Sequence, residues 1–112
     1  MQSTRDMVQD RGYILLTFKV HEEDGQYVSE CDELGVASCG DTIQEAFDAI
    51  EDAVTSYLET LEEEGERERV FAERGIRILP GDLPLDGVEV QVRVPPNEYV
   101  SPHPMRVPTD VA

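Results

Sequence analysis

Positive charge is scarce in this 112-residue chain, where nine Lys and Arg stand against 25 Asp and Glu for a net charge of −16. Every nucleic-acid phosphate that a protein contacts calls for a nearby cation, so direct binding to DNA or RNA is disfavoured. An anionic membrane surface is disfavoured for the same reason. Long hydrophobic runs are missing too. The longest, Tyr13 to Leu16, is far too short to cross a bilayer, and no segment resembles a signal peptide. Tryptophan is absent, and the two cysteines, Cys31 and Cys39, lie eight apart without a Cys-x-x-Cys pair. With no secretion signal, both thiols read as reduced and buried in a cytoplasmic protein. The charge leaves three openings: a basic protein partner, a metal ion, or simple solubility.

What is present is most informative between Asp41 and Leu61. Thr42 followed by Glu45 forms a capping box, with the hydroxyl taking the Glu45 N–H and the carboxylate reaching back to the Thr42 N–H. Ile43, Ala46, Phe47, Ile50, Val54, Tyr57, Leu58 and Leu61 then recur at three- and four-residue steps, which is the apolar stripe of one helix. Glu45, Asp48, Glu51, Asp52, Glu59, Glu62 and Glu63 occupy the rest of its circumference, and no Lys or Arg occurs between Lys19 and Arg67. Such a helix needs a sheet to cover its stripe.

The length is that of one domain. Residues 1–11 read as a flexible N-terminus, 12–95 as the folded domain and 96–112 as a proline-rich extended tail. That leaves roughly 85 residues to build a core, enough to bury about 60–65% of the unfolded surface. Ile14, Leu16, Phe18 and Val20 alternate with Leu15, Thr17, Lys19 and His21, the period of a half-buried strand. Asp24-Gly25 is a hairpin turn, and a two-residue loop places Lys19 opposite Glu30 and Phe18 opposite Cys31. Gly35 to Cys39 is a short third strand, and Gly40 precedes the helix cap. Gly65 stops the long helix. Glu66 to Arg74 is a second, shorter helix anchored by Val70 and Phe71 and ended by Gly75, with Ile76 folding back. Pro80 to Pro84 is a loop. Val88, Val90, Val92 and Val94 alternate with polar residues as a last strand, which Pro95-Pro96 ends.

The order is β-β-β-α-α-β, an α+β fold with one small mixed sheet and the long helix on one face. The helical crossover suggests that the last strand pairs parallel to an earlier one. As an edge with one apolar face, Val88–Val94 invites self-association into a dimer or higher homo-oligomer through Val88, Val90, Val92 and Val94. Phe18, Phe47, Ile50, Val54, Tyr57 and Leu58 are the expected core.

Two motifs carry a family resemblance. The run Asp24-Gly25-Gln26-Tyr27-Val28-Ser29-Glu30-Cys31-Asp32-Glu33-Leu34-Gly35, followed by Gly40-Asp41-Thr42-Ile43-Gln44-Glu45-Ala46, resembles the HicB-like antitoxin family over about Tyr13 to Glu64. This chain has Cys31-Asp32 where the family usually has Cys-Pro, and a shorter loop with Gly35-Val36 in place of Pro-Gly-Cys. The resemblance implies a partial RNase H-like fold and a non-enzymatic role in a toxin–antitoxin system. HicB-like proteins bind and neutralise a small basic (HicA-like) toxin that cleaves messenger RNA. Many also carry a helix-turn-helix or ribbon-helix-helix domain; the residues after Val94 are too few and too proline-rich for one. Here the electrostatic contacts with such a partner are expected at Glu45, Asp48, Asp52 and Glu59.

Other chemistry reads weakly. A two-metal RNase H-type site needs carboxylates converging from the sheet interior, and the inward positions of the first strand are apolar. Cys31 and His21 point to opposite faces of the hairpin, which argues against a thiol nucleophile with its base. His103 lacks a neighbouring ligand pattern, and Gly35 and Gly40 are isolated, so no metal, cofactor or phosphate site is expected. The alternative reading is an orphan HicB-like module that self-associates and has no toxin.

Overall fold

The computed structural model describes residues 12–81, 92–94 and 98–107. Strand β1 (Gly12–Glu23) turns through Asp24 and Gly25, both at positive φ, into β2 (Gln26–Cys31). The hairpin register pairs Phe18 with Cys31 and Lys19 with Glu30, as the two-residue turn requires. β3 (Val36–Gly40) continues the meander against β2. Helix α1 (Ile43–Glu64) and the shorter α2 (Arg67–Arg74) follow, and then the two-residue β4 (Leu79–Pro80), β5 (Val92–Val94) and β6 (Glu98–Arg106). The strands form one sheet in the order β3-β2-β1-β6-β5, with β4 paired separately to β1. The architecture is α+β, with the longer helix packed on one face of the sheet.

Both helix ends of α1 follow from local chemistry. Thr42 Oγ1 accepts the Glu45 N–H at 3.0 Å, while the Glu45 carboxylate accepts from the Asp41 N–H, one residue before the expected Thr42. Gly65, at φ 68°, closes the helix, and Glu66 N–H reaches the Leu61 carbonyl at 2.9 Å. Without a Cβ, glycine takes this left-handed conformation without strain. Gly75 ends α2 in the same way, and Ile76 N–H folds back to the Phe71 carbonyl.

The core lies between α1 and the sheet. Ile14, Leu16, Phe18 and Val20 of β1 are buried against Ala46, Phe47, Ile50, Val54 and Leu61 of α1, joined by Cys31, Leu34, Val70, Phe71 and Val107. Tyr57 and Leu58, expected inside, are half-buried at its margin. Gly40 fixes the approach of helix to sheet, because a Cβ there would sit 2.6 Å from the Ala46 nitrogen.

Two expectations about the sheet fail. The sheet is not mixed: among the described residues every pairing is antiparallel, including β1 with β6 and β5 with β6. The strand after the crossover therefore does not pair parallel to an earlier one. The second failure is the tail, because residues 98–106 are the strand that lies beside β1 along Tyr13 to His21. The prolines of this segment are compatible with a strand. Thr17, opposite Pro102, turns its N–H away from β6 and gives it to the Glu33 carboxylate at 3.1 Å. In an antiparallel pair, groups of two opposed residues point outward together, so Pro102 needs no donor toward β1; neither does Pro104, two residues on. β5 reaches only Glu98 to Val100, so no described strand asks for those donors from the other side.

Two substitutions test this packing. Gly40→Ala should destabilise the domain by about 2 kcal/mol or more, read from denaturant midpoints, because the clash is with backbone. Ser29 is fully buried on β2, and its Oγ has no hydrogen-bond partner among the described residues. Ser29→Ala should therefore stabilise by up to about 1 kcal/mol, and a loss of stability would reveal a partner for that hydroxyl.

Candidate functional site

A surface position on α1 is set by its angle from the buried stripe. Glu45, Asp48, Asp52 and Glu59 fall together opposite Ile50, Val54 and Leu61, and all four are exposed. They span four turns, or about 21 Å along the axis. None is paired with a cation among the described residues; Glu45 caps the helix and Asp48 accepts from Gln44 Nε2 at 3.0 Å. The structure thus brings the four expected contact residues onto one solvent-facing surface.

Acids on the flank facing β6 are different, because they do have partners. Glu51 lies 3.5 Å from His103 Nε2, and the His103 ring stacks on Phe18 with centroids 4.5 Å apart. Glu62 forms an ion pair with Arg67, which is only 6% exposed. Burying an arginine leaves a large penalty unless its charge is met, so Glu62 is committed to the fold. Beside this pair, Leu58, Glu59 and Met105 help line a cleft of about 230 Å³ between α1 and β6. Sequence reasoning treated Glu51 and Glu62 as further members of the acidic face and His103 as part of the tail. Once β6 is missed, no signal links them.

Near the β2–β3 turn, Glu33 fills a gap in the sheet. β1 pairs with β2 only from Phe18 onward and with β4 only at Gly12 and Tyr13. The Glu33 carboxylate takes the unmet Thr17 N–H and also accepts the Cys31 thiol, with Sγ to Oε1 at 3.6 Å. Burial is the main reason that the Cys31 pKa rises from 9.0 to about 11. On the open face, Asp32 pairs with Lys19, and their hydrogen bond raises the ammonium pKa above its ordinary value.

Cys31 is buried as expected, but Cys39 is exposed on β3, which corrects the reading of two buried thiols. Val28 opposes His21, so the His21 side chain stands on the face away from Cys31. Among the described residues, no group of three or more His, Cys, Asp or Glu converges as metal ligands. Of the self-association residues, Val92 and Val94 belong to β5, at one edge of the sheet path; Val88 and Val90 lie outside the described residues. Among the described residues no helix is long and apolar enough to cross a membrane.

Comparison of the chain with protein-family models, with curated proteins and with solved structures finds no match in any of the three.

The thiol environments give a measurement. Cys39 should react with a thiol reagent in the native state, and Cys31 only on unfolding. Because the folded Cys31 pKa is raised, the native state holds its proton longer than the unfolded chain. Its stabilising contribution is complete below pH 9 and is lost as pH rises through about 11. Unfolding free energy should fall by roughly 2–3 kcal/mol across that window from this group, and the fall should be smaller in Cys31→Ala.

Proposed function

We propose that this chain is a cytoplasmic, non-enzymatic, HicB-like antitoxin that binds a small basic messenger-RNA-cleaving toxin and covers its RNA-binding surface. The observation that carries the reading is the outer face of α1, where Glu45, Asp48, Asp52 and Glu59 stand exposed with no cationic partner among the described residues. A basic RNA-binding surface is built to meet phosphates, and a row of carboxylates competes for the same cations. The net charge of −16 adds long-range attraction for such a partner while opposing contact with RNA itself. The two resembling motifs lead into this helix: the first forms the β1–β2 turn, β2 and the β2–β3 turn, and the second forms the helix N-terminus.

Like charges on a single helix face also repel each other, which costs the free domain some stability; a cationic partner relieves this. A second reading is an orphan module with no toxin, self-associating through Val88–Val94. In its favour, β5 ends the sheet path, and among the described residues nothing pairs with its outer side, where a strand could add.

The two readings separate in one experiment. Co-purification with a short basic protein encoded beside this chain should yield a complex whose affinity falls as salt rises. Asp48→Lys combined with Asp52→Lys should weaken it by roughly tenfold or more, mainly by slowing association. A complex indifferent to both changes would remove the electrostatic mechanism, and failure to find any basic partner would favour the orphan module.

A further inference from the structure

The two ends of the sheet path are chemically unlike. β3, Val36–Gly40, forms the end opposite β5, and among the described residues nothing pairs with its outer side. Such an edge presents a row of N–H and C=O groups, which proteins commonly guard with charge, proline or a bulge. β3 has none of these. Leu34 to Gly40 contains no charged residue and no proline, and five consecutive residues pair with β2 in unbroken register. In a chain with 25 carboxylate side chains, this unguarded edge stands out.

The flank of α1 above that edge is permissive as well. Glu51 and Glu62 meet His103 and Arg67 on the β6 side, so Ala49, Ala53, Ser56 and Thr60 lie on the β3 side. Carboxylates stand along its outer margin at Glu45 and Glu63, and one enters the flank itself at Glu64, in the last turn. α1 comes closest to β3 and β2, while its C-terminal half reaches β1 and β6. Neighbouring strands lie about 4.8 Å apart, so a helix over that pair stands roughly one strand spacing inside the edge.

We propose that β3 is the seam of a two-fold dimer. β3 of one copy pairs antiparallel with β3 of the second, joining two sheets into one continuous sheet. The two α1 helices then lie side by side on one face, with axes about 10 Å apart, a distance at which helices pack. Antiparallel pairing of one strand with itself is self-complementary, so a two-fold axis closes the assembly at two copies. Charge selects the occupant. Two chains at −16 repel wherever carboxylates face each other; β3 carries none and the middle of this flank is Ala49, Ala53, Ser56 and Thr60, whereas a basic partner is drawn to the outer face of α1. The dimer leaves Asp48 and Asp52 open and does not depend on the antitoxin reading.

Sedimentation of the full chain at low and high salt tests the seam, together with crosslinking at Cys39, the exposed thiol. In a register centred on Ser38 or Cys39 the two Cys39 residues lie within about 9 Å, so a short bis-maleimide should link them. The dimer should tighten as salt rises, because screening removes repulsion, opposite to the trend for a basic partner. Ala37→Lys, or Ala49→Glu with Ala53→Glu, should raise the dimer dissociation constant by roughly tenfold or more while circular dichroism stays native. A monomer at every concentration overturns the proposal. So does a dimer that gives no Cys39 crosslink in the unsubstituted chain, or one lost on Val92→Lys but not with the β3 and α1 variants. The crosslink is read without any variant, so a substitution that fails to fold leaves the test intact.

Discussion

Burial of the α1 stripe on the inward residues of β1 is the interaction from which the other features of this molecule follow. Ile50 and Val54 on the helix, and Ile14 and Val20 on the strand, are fully excluded from solvent. Each such side chain contributes about 1.5–3 kcal/mol on leaving water, large against the total stability of a small domain. Because the stripe is straight, fixing it inward fixes the opposite face outward, and with it Asp48, Asp52 and Glu59. The close contact of Gly40 with the Ala46 nitrogen sets how near the helix comes to the sheet. A rotation of α1 by one residue would draw acids toward the sheet and could not be tolerated.

The acids then divide into two groups by where that geometry leaves them. On the β6 flank, Glu51 and Glu62 are held by His103 and Arg67, and Glu33 serves β1 as a substitute for a missing strand partner. These carboxylates belong to the fold. On the outer face, nothing described holds the charges of Asp52 and Glu59, and electrostatic energy stored there is released only by counterions or by a cationic partner. The uncharged β3 edge stands apart from these acids, and the two proposed associations, with a basic ligand on the outer face of α1 and with a second copy at β3, are expected to respond to salt in opposite directions.

Much of this was legible in local patterns. The Asp24-Gly25 turn set the hairpin register residue by residue, since a two-residue loop leaves one alignment that keeps Phe18 and Cys31 on the apolar side. Thr42 and Gly65 marked the limits of α1 through their own backbone chemistry. β6 was illegible for an equally physical reason. Prolines argue against a strand only where their nitrogen faces a partner, and which way Pro102 faces depends on Thr17, some 85 residues earlier. With β6 hidden, the placement of His103 against Phe18 and Glu51 was hidden too. Cys39 is exposed because it pairs with Val28, in line with His21, on the face of the sheet that α1 leaves open.

Short-range chemistry by itself thus settled where the main elements begin and end, which side of α1 is apolar, and how β1 meets β2. Caps, turns and periodicity act over a few residues, so they are written in the chain directly. Strand order, the antiparallel course of β6, the burial of Arg67 and the place of β3 at one end of the sheet path were decided only by tertiary structure. Each depends on which distant segments come to lie side by side, and backbone hydrogen bonding between strands carries almost no trace of its partner in the residues themselves.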